Sequence, residues 1–216
     1  MIVYWILLLI VAFVGYITGS VSTLRVASRF VFKRNLRRLG TDSVFLSNFR
    51  RLYGWWGAVR LLLTEVLKDL LPILFGSLLL SLKGHAAVGA AFGAFCMMLG
   101  RLWPVFNGFK GSHHGCVALL VAAVSVDVSV GVSAALVMLA VIWFTRYLSL
   151  GAAAGAAVAF ITALLVVEDR LQMLLVIFCT LLVLLYHVPA LLRLSRGREE
   201  RLSFEEDISY KFDEKF

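Results

Sequence analysis

Paired cysteines are missing from this chain. Its three, Cys96, Cys116 and Cys179, stand singly in apolar surroundings, which excludes a zinc knuckle or a redox couple and leaves them as small core residues. Proline is as scarce, with three in 216 residues, so little interrupts the long Leu/Val/Ala runs. Those runs also lack the apolar–polar alternation of barrel strands, and this points to helices. Charge is sparse, at 16% of residues against 61% hydrophobic. No soluble core can bury that much apolar surface, so the chain reads as an all-α integral membrane protein. Nucleic-acid motifs are absent. The formal charge of +8 is carried by residues flanking the apolar segments, which suits membrane lipids with anionic headgroups and phosphorylated substrates, not nucleic acid. The first apolar run lacks a basic leader and is followed by its positive charges, so it is expected to be a helix with its N-terminus outside, not a signal peptide.

A helix needs about 20 apolar residues to cross the hydrocarbon core. Spans are expected at 2–24, 56–82 and 86–106. The stretch 115–145, interrupted at Ser125, Asp127 and Ser129, supplies two more, and the last two fall at about 149–167 and 171–191. With the N-terminus outside, segments 25–55, 107–114, 146–148 and 192–216 face inward and hold nearly all the cations. Cytoplasmic loops carry such an excess, so charge and count agree on seven transmembrane helices and a cytoplasmic C-terminus. The expected organisation is a membrane domain over 1–192 followed by a charged tail over 193–216.

Eight basic residues and one acid, Asp42, lie between Arg25 and Arg51. Within that loop Thr41, Ser43, Ser47, Asn48 and Arg51 combine hydroxyls, amide and guanidinium around Gly40 and Gly54, a set suited to phosphate. An ordinary basic loop on anionic lipid is the alternative. Lys110, Gly111, Ser112, His113 and His114 enter a helix and could form an anion nest or simply cap it. Adjacent histidines seldom converge on one ion, so no metal is expected. Arg146 and Ser149 mark another inward junction, and His187 lies near the inner end of the last span. Glu65, Lys68 and Asp69 share one face of the second span, roughly 15–20 Å into it. They are expected to face the bundle as an ion-pair cluster, a proton relay being the lesser reading. Phosphate-suited residues recur in all four inward segments and not at the midplane, where a transporter holds its substrate. This favours a site for a lipid-linked phosphate.

In these residues the chain resembles the bacterial acyl-phosphate:glycerol-3-phosphate acyltransferase family (PlsY-type) over nearly its whole length. Gly19-Ser20 matches the family's opening GS. The motif RxxGSGNxGATNxxRxxG aligns with Arg37, Gly40, Thr41, Ser47, Asn48, Arg51 and Gly54, departing at Asp42, Ser43 and Phe45. DxLKG followed by Pro reads Glu65, Lys68, Asp69 and Pro72. GHxFPxxxxFKGGKG reads Gly100, Arg101, Trp103, Pro104, Phe109, Lys110, Gly111, Ser112, His113 and His114, with His113 in the place of the glycine-flanked lysine. TRYxS is intact as Thr145, Arg146, Tyr147 and Ser149. HRxNxxRLxxGxE keeps His187, Arg193, Leu194, Gly197 and Glu199, with Val188 and Ala190 where Arg and Asn belong.

The resemblance implies transfer of an acyl group from acyl phosphate to the sn-1 hydroxyl of glycerol 3-phosphate at the bacterial inner membrane, making lysophosphatidate for phospholipid synthesis. It implies His113 and His187 as catalytic residues. Thr41, Ser47, Asn48, Arg51, Lys110, Gly111, Ser112, Arg146 and Ser149 would hold substrate phosphate. Neither metal nor organic cofactor is implied, and an acyl-phosphate-producing enzyme is the implied partner. Two rivals are a silent relative that only binds lipid or a partner enzyme, and a small transporter.

Overall fold

The computed structural model describes residues 2–23, 45–109 and 115–199; of residues 45–53, 58, 107 and 115–116 it describes the backbone alone. Seven α-helices lie among them, the expected count: α1 (Ile2–Ser20), α2 (Phe45–Ser81), α3 (Ala86–Leu102), α4 (Gly115–Val126), α5 (Val128–Thr145), α6 (Leu148–Val166) and α7 (Arg170–Ser195), with one 3-10 turn at Val105–Asn107. They are unequal. Among the described residues α1, α5, α6 and α7 are each long and apolar enough to cross a membrane, whereas the 12 residues of α4 cover only about 18 Å.

Some boundaries differ from expectation for local reasons. α2 starts at Phe45 and not near 56, but it is broken at Gly54, whose φ of 69° and ψ of −176° lie in a region only glycine occupies at little cost. α3 stops at Leu102, before Pro104, and not at 106. The break between α4 and α5 falls on Asp127, whose carboxylate caps α5 by accepting from the Ser129 amide at 2.7 Å. α7 continues to Ser195, where Gly197 at φ 67° ends it in a left-handed turn.

α3 packs at the centre of the first half. A Cβ on Gly19 of α1 would lie 2.0 Å from the Met97 carbonyl oxygen, and one on Gly89 would lie 2.2 Å from that of Gly76 on α2. Such approach between backbones is how small residues hold membrane helices together, since lipid tails leave no hydrophobic drive for association. In the second half Ala152, Ala156, Ala159 and Ala163 form a fully buried stripe on α6, at the 3–4 spacing of one helical face. Outward faces are apolar. Leu67, Leu71, Leu74 and Leu78 of α2 and Trp5, Leu9 and Phe13 of α1 are all exposed, a surface that only lipid can cover.

Neighbouring helices alternate in direction. α2 and α3 meet through Pro72 with Gly93 and Gly76 with Gly89, and α5 and α6 through Ile142 with Gly151. The Gln172 side-chain amide donates to the Val126 carbonyl at 3.1 Å, setting the start of α7 beside the end of α4. One end of the bundle therefore gathers the ends of α1, α3, α5 and α7 with the starts of α4 and α6. Gly19, Ser20, Gly100, Arg101, Thr145, Arg146, Ser149 and Arg193 are there. Trp55, Trp56, Trp103 and Trp143 are exposed near that end and Trp5 at the opposite one, as aromatic belts at two membrane–water boundaries would be.

Candidate active site at one end of the bundle

The junction between α5 and α6 is the most fully built part of the site. Arg146 ends α5 with its amide donating to the Ile142 carbonyl at 2.8 Å and its backbone at φ 61°. A left-handed arginine costs on the order of 1–2 kcal/mol, a strain that tends to accumulate where function needs it. The Thr145 hydroxyl accepts from the Tyr147 amide at 3.3 Å, so the two-residue break is held from within. Ser149 follows in the first turn of α6. It is 5% exposed, and its Oγ meets no hydrogen-bond partner among the described residues. A buried hydroxyl in that condition, beside the amides that open a 19-residue helix, is able to accommodate an anion.

His187 is 4% exposed near the end of α7. Its Nδ1 lies 2.9 Å from the Val183 carbonyl oxygen. A carbonyl can only accept, so Nδ1 carries a proton and donates it to Val183. Tyr186 stands edge-on to it at 5.7 Å between centroids. Beyond it, Arg193 Nε donates to Glu199 at 3.0 Å across the Gly197 turn, so the retained part of the third motif terminates α7. Ala190, where the family motif carries Asn, is buried.

Arg146, Ser149 and His187 thus reach the same end of the bundle. Ser47, Asn48 and Arg51 lie on the helical segment before Gly54, with side chains outside the described residues. Thr41, Lys110, Gly111, Ser112 and His113 lie outside the described residues altogether.

The motif glycines have packing reasons. Gly19 touches the Met97 carbonyl, and a Cβ on Gly100 would lie 2.1 Å from the Tyr16 carbonyl oxygen. The Ser20 hydroxyl donates to the Gly100 carbonyl at 3.2 Å, and the Tyr16 hydroxyl to that of Trp103 at 2.8 Å. The last turns of α1 and α3 are laced together.

Beside that lacing sits the expected ion-pair cluster. With Pro72 against Gly93 and Gly76 against Gly89, Glu65 stands level with the last turn of α3 and Asp69 about one turn further in. The ten residues from Trp55 to Thr64 carry α2 roughly 15 Å past the ends of its neighbours, which a count from the start of an apolar run does not reveal. Arg101, which reads in sequence as a cation near a helix end, is the missing member. Its guanidinium lies 2.5 Å from Asp69 Oδ1 and 3.3 Å from Glu65 Oε1. Lys68 Nζ lies 2.9 Å from Glu65, and the Thr23 hydroxyl donates to the same carboxylate. One signal could have found Arg101: two carboxylates and one lysine on a buried helix face need another cation at that level.

A bundle of seven helices among the described residues, with lipid-facing flanks, defines a polytopic membrane protein. Residues 9–197 match the glycerol-3-phosphate acyltransferase family, and the chain belongs to it. Relatives bearing that name include one from Clostridioides difficile, 26% identical over 195 residues that span 90% of this chain and 95% of the relative. Another is glycerol-3-phosphate acyltransferase 2 of Moorella thermoacetica, 33% identical over 155 residues, spanning 72% and 75%. The crystal structure of PlsY (YgiH), an integral membrane glycerol 3-phosphate acyltransferase, in its glycerol 3-phosphate form superposes with a TM-score of 0.76. That likeness is at 26% identity and covers 91% of this chain and 96% of the other. The chain is a membrane acyltransferase with a role in phospholipid synthesis.

Proposed function

We propose that this acyltransferase moves an acyl group from acyl phosphate to the sn-1 hydroxyl of glycerol 3-phosphate, on the cytoplasmic face of a bacterial inner membrane. The hydroxyl oxygen bonds to the acyl carbon, the bond from that carbon to the phosphate oxygen breaks, and inorganic phosphate and lysophosphatidate leave. The donor is an activated mixed anhydride, so the protein contributes mainly by holding two phosphates and the developing charge in place. His187 is the candidate to take the hydroxyl proton, and a proton returned to phosphate balances the step.

The observation that carries this reading is Ser149. Its buried Oγ, without a protein partner among the described residues, opens α6 directly after Arg146. Arg146 and Ser149 would bind one substrate phosphate, while Thr41, Ser47, Asn48 and Arg51 would bind glycerol 3-phosphate. Lys110, Gly111, Ser112 and His113 would bind the acyl phosphate, whose chain would lie on apolar helix faces. An enzyme producing acyl phosphate at the same membrane is the expected partner. The eight Lys and Arg residues of segment 25–55 and the six of 192–216 support the cytoplasmic assignment of this end.

Phosphate release from acyl phosphate by purified protein, with and without glycerol 3-phosphate, is the test. Release that depends on the acceptor is expected. Binding without release would make the protein a silent relative, and neither binding nor release would reopen the transporter reading.

A further inference from the structure

The four charges where α2 meets α3 have no part in the chemistry just described. Arg101 is 3% exposed and Asp69 0%, so no substrate phosphate reaches that guanidinium while the seam is closed. Two carboxylates face two cations, and the Lys68 ammonium also donates to the Val21 carbonyl at 3.0 Å. Three helices are therefore tied at one level. Stability alone does not explain such a cluster, because well-packed apolar residues in its place are often as stable or more so. What ions give that apolar packing does not is a fixed register, since a planar guanidinium forked between two carboxylates tolerates little sliding.

The chain beyond Arg101 is held just as closely. Trp103 is fixed to Tyr16 through its carbonyl. The Phe109 amide donates back to the Pro104 carbonyl at 3.0 Å, and Gly108 and Phe109 take left-handed φ of 61° and 59°. Phe109 directly precedes Lys110. Asp69 and Arg101 also stand at the two positions where the family motifs carry Gly and His, so two departures distant in sequence are the two ends of one contact.

We propose that Arg101 is a positioning residue for acyl transfer: its fork onto Glu65 and Asp69 sets where the Trp103–Phe109 turn stands against α1 and α2, and through it the affinity for the acyl donor. This rests on the reading that Lys110 and its neighbours take the donor's phosphate.

The test uses full-length protein carrying Asp69→Asn, Arg101→Lys, or both. Asp69→Asn keeps shape and removes one charge. Arg101→Lys keeps charge and removes the fork, so a failure of either variant to fold leaves the other informative. Hydrogen exchange over 103–109 should quicken in each, while α5 and α6 exchange as in the wild type. The KM for acyl phosphate should rise about tenfold, as expected for loss of a charge-assisted hydrogen bond, with the KM for glycerol 3-phosphate nearly unmoved. The double variant should be no worse than the worse single, because both remove the same fork. Unchanged exchange over 103–109 overturns the proposal, as does quickened exchange with an unaltered donor KM, or two KM values rising together. Absence of turnover in the wild type would overturn the acyl-phosphate reading instead, and the exchange data would still decide whether the fork holds the turn.

Discussion

The two halves of the bundle are joined by different physics. α1, α2 and α3 meet through backbone contacts at Gly19, Gly76, Gly89 and Gly100, side-chain hydrogen bonds to carbonyls, and a buried four-charge cluster. α5, α6 and α7 meet through alanine and through Gly151 and Gly155, which face mainly the Ile142 and Met138 side chains. Among the described residues, the side-chain hydrogen bond across the α5–α6 seam, Ser133 to Thr162, is 3.5 Å long, at the limit for such a bond. Apolar packing is tolerant of small displacements, whereas ion pairs and carbonyl contacts are not. The rigid half carries the turn leading to Lys110, and the tolerant half carries Arg146, Ser149 and His187 at the ends of long lipid-facing helices.

Overpacking should break the rigid seam first. Gly89→Leu would drive a side chain into the Gly76 backbone 2.2 Å away, and no rotamer relieves a clash at Cβ. Loss of monodisperse protein on detergent extraction is the expected outcome. Ala156→Leu on the alanine seam should instead cost about 1–3 kcal/mol and leave a foldable protein with a lowered Tm. Equal damage from the two would show that the seams do not differ.

Next in size is Arg101→Met, which leaves Glu65 and Asp69 with Lys68 alone. Breaking a buried pair from one side costs about 3–5 kcal/mol, read as a fall in thermal stability. A stability equal to the wild type would mean that the cluster is solvated in solution.

Ser149→Ala separates structure from substrate. The Oγ has no hydrogen-bond partner among the described residues, so the Tm should move little. If Oγ receives a substrate phosphate, the variant should lose about 1.5–3 kcal/mol of affinity, seen as a raised KM. Arg51→Ala should lose a similar amount for glycerol 3-phosphate, and Arg51→Lys should recover little, because a point charge cannot reproduce the fork. A lowered Tm with unchanged KM in Ser149→Ala would reduce Ser149 to a packing residue.

Much of this arrangement is legible in the sequence. Asp127 interrupts an apolar stretch and proves to be a helix cap. Lone carboxylates at 65 and 69 demand partners and have them. Gly54 and Gly197 stand where the backbone takes conformations other residues resist. What a linear reading cannot supply is relative height. Nothing in the order of residues says that α2 overshoots α1 and α3, or that Arg101 reaches Glu65 and Asp69. The shared end of Arg146, Ser149 and His187 follows from alternating helices, whereas the burial of the Ser149 hydroxyl without a partner among the described residues is set by packing alone. Thr41, Lys110, Gly111, Ser112 and His113 remain expectations of motif alone.

The smallest expected effect lies at the opposite end, where a carboxylate of the second half accepts hydrogen bonds near the surface. Asp127 is partly exposed, and the hydroxyl and amide of Ser129 hold its carboxyl below the ordinary aspartate range. A carboxylate lowered on folding adds stability above its unfolded pKa and loses it as pH falls through the folded value. Asp127→Asn keeps a capping oxygen but cannot titrate. Wild type should therefore be slightly more stable than Asp127→Asn at neutral pH, with the gap closing below about pH 4. Thermal melts of both proteins in the same detergent between about pH 6 and pH 3 would follow it. The contact is exposed, so the gap should also shrink with added salt, unlike the Arg101 cluster, which salt cannot reach. A gap that widened on acidification would mean that Asp127 is better tolerated protonated, and that α5 is capped by its backbone alone.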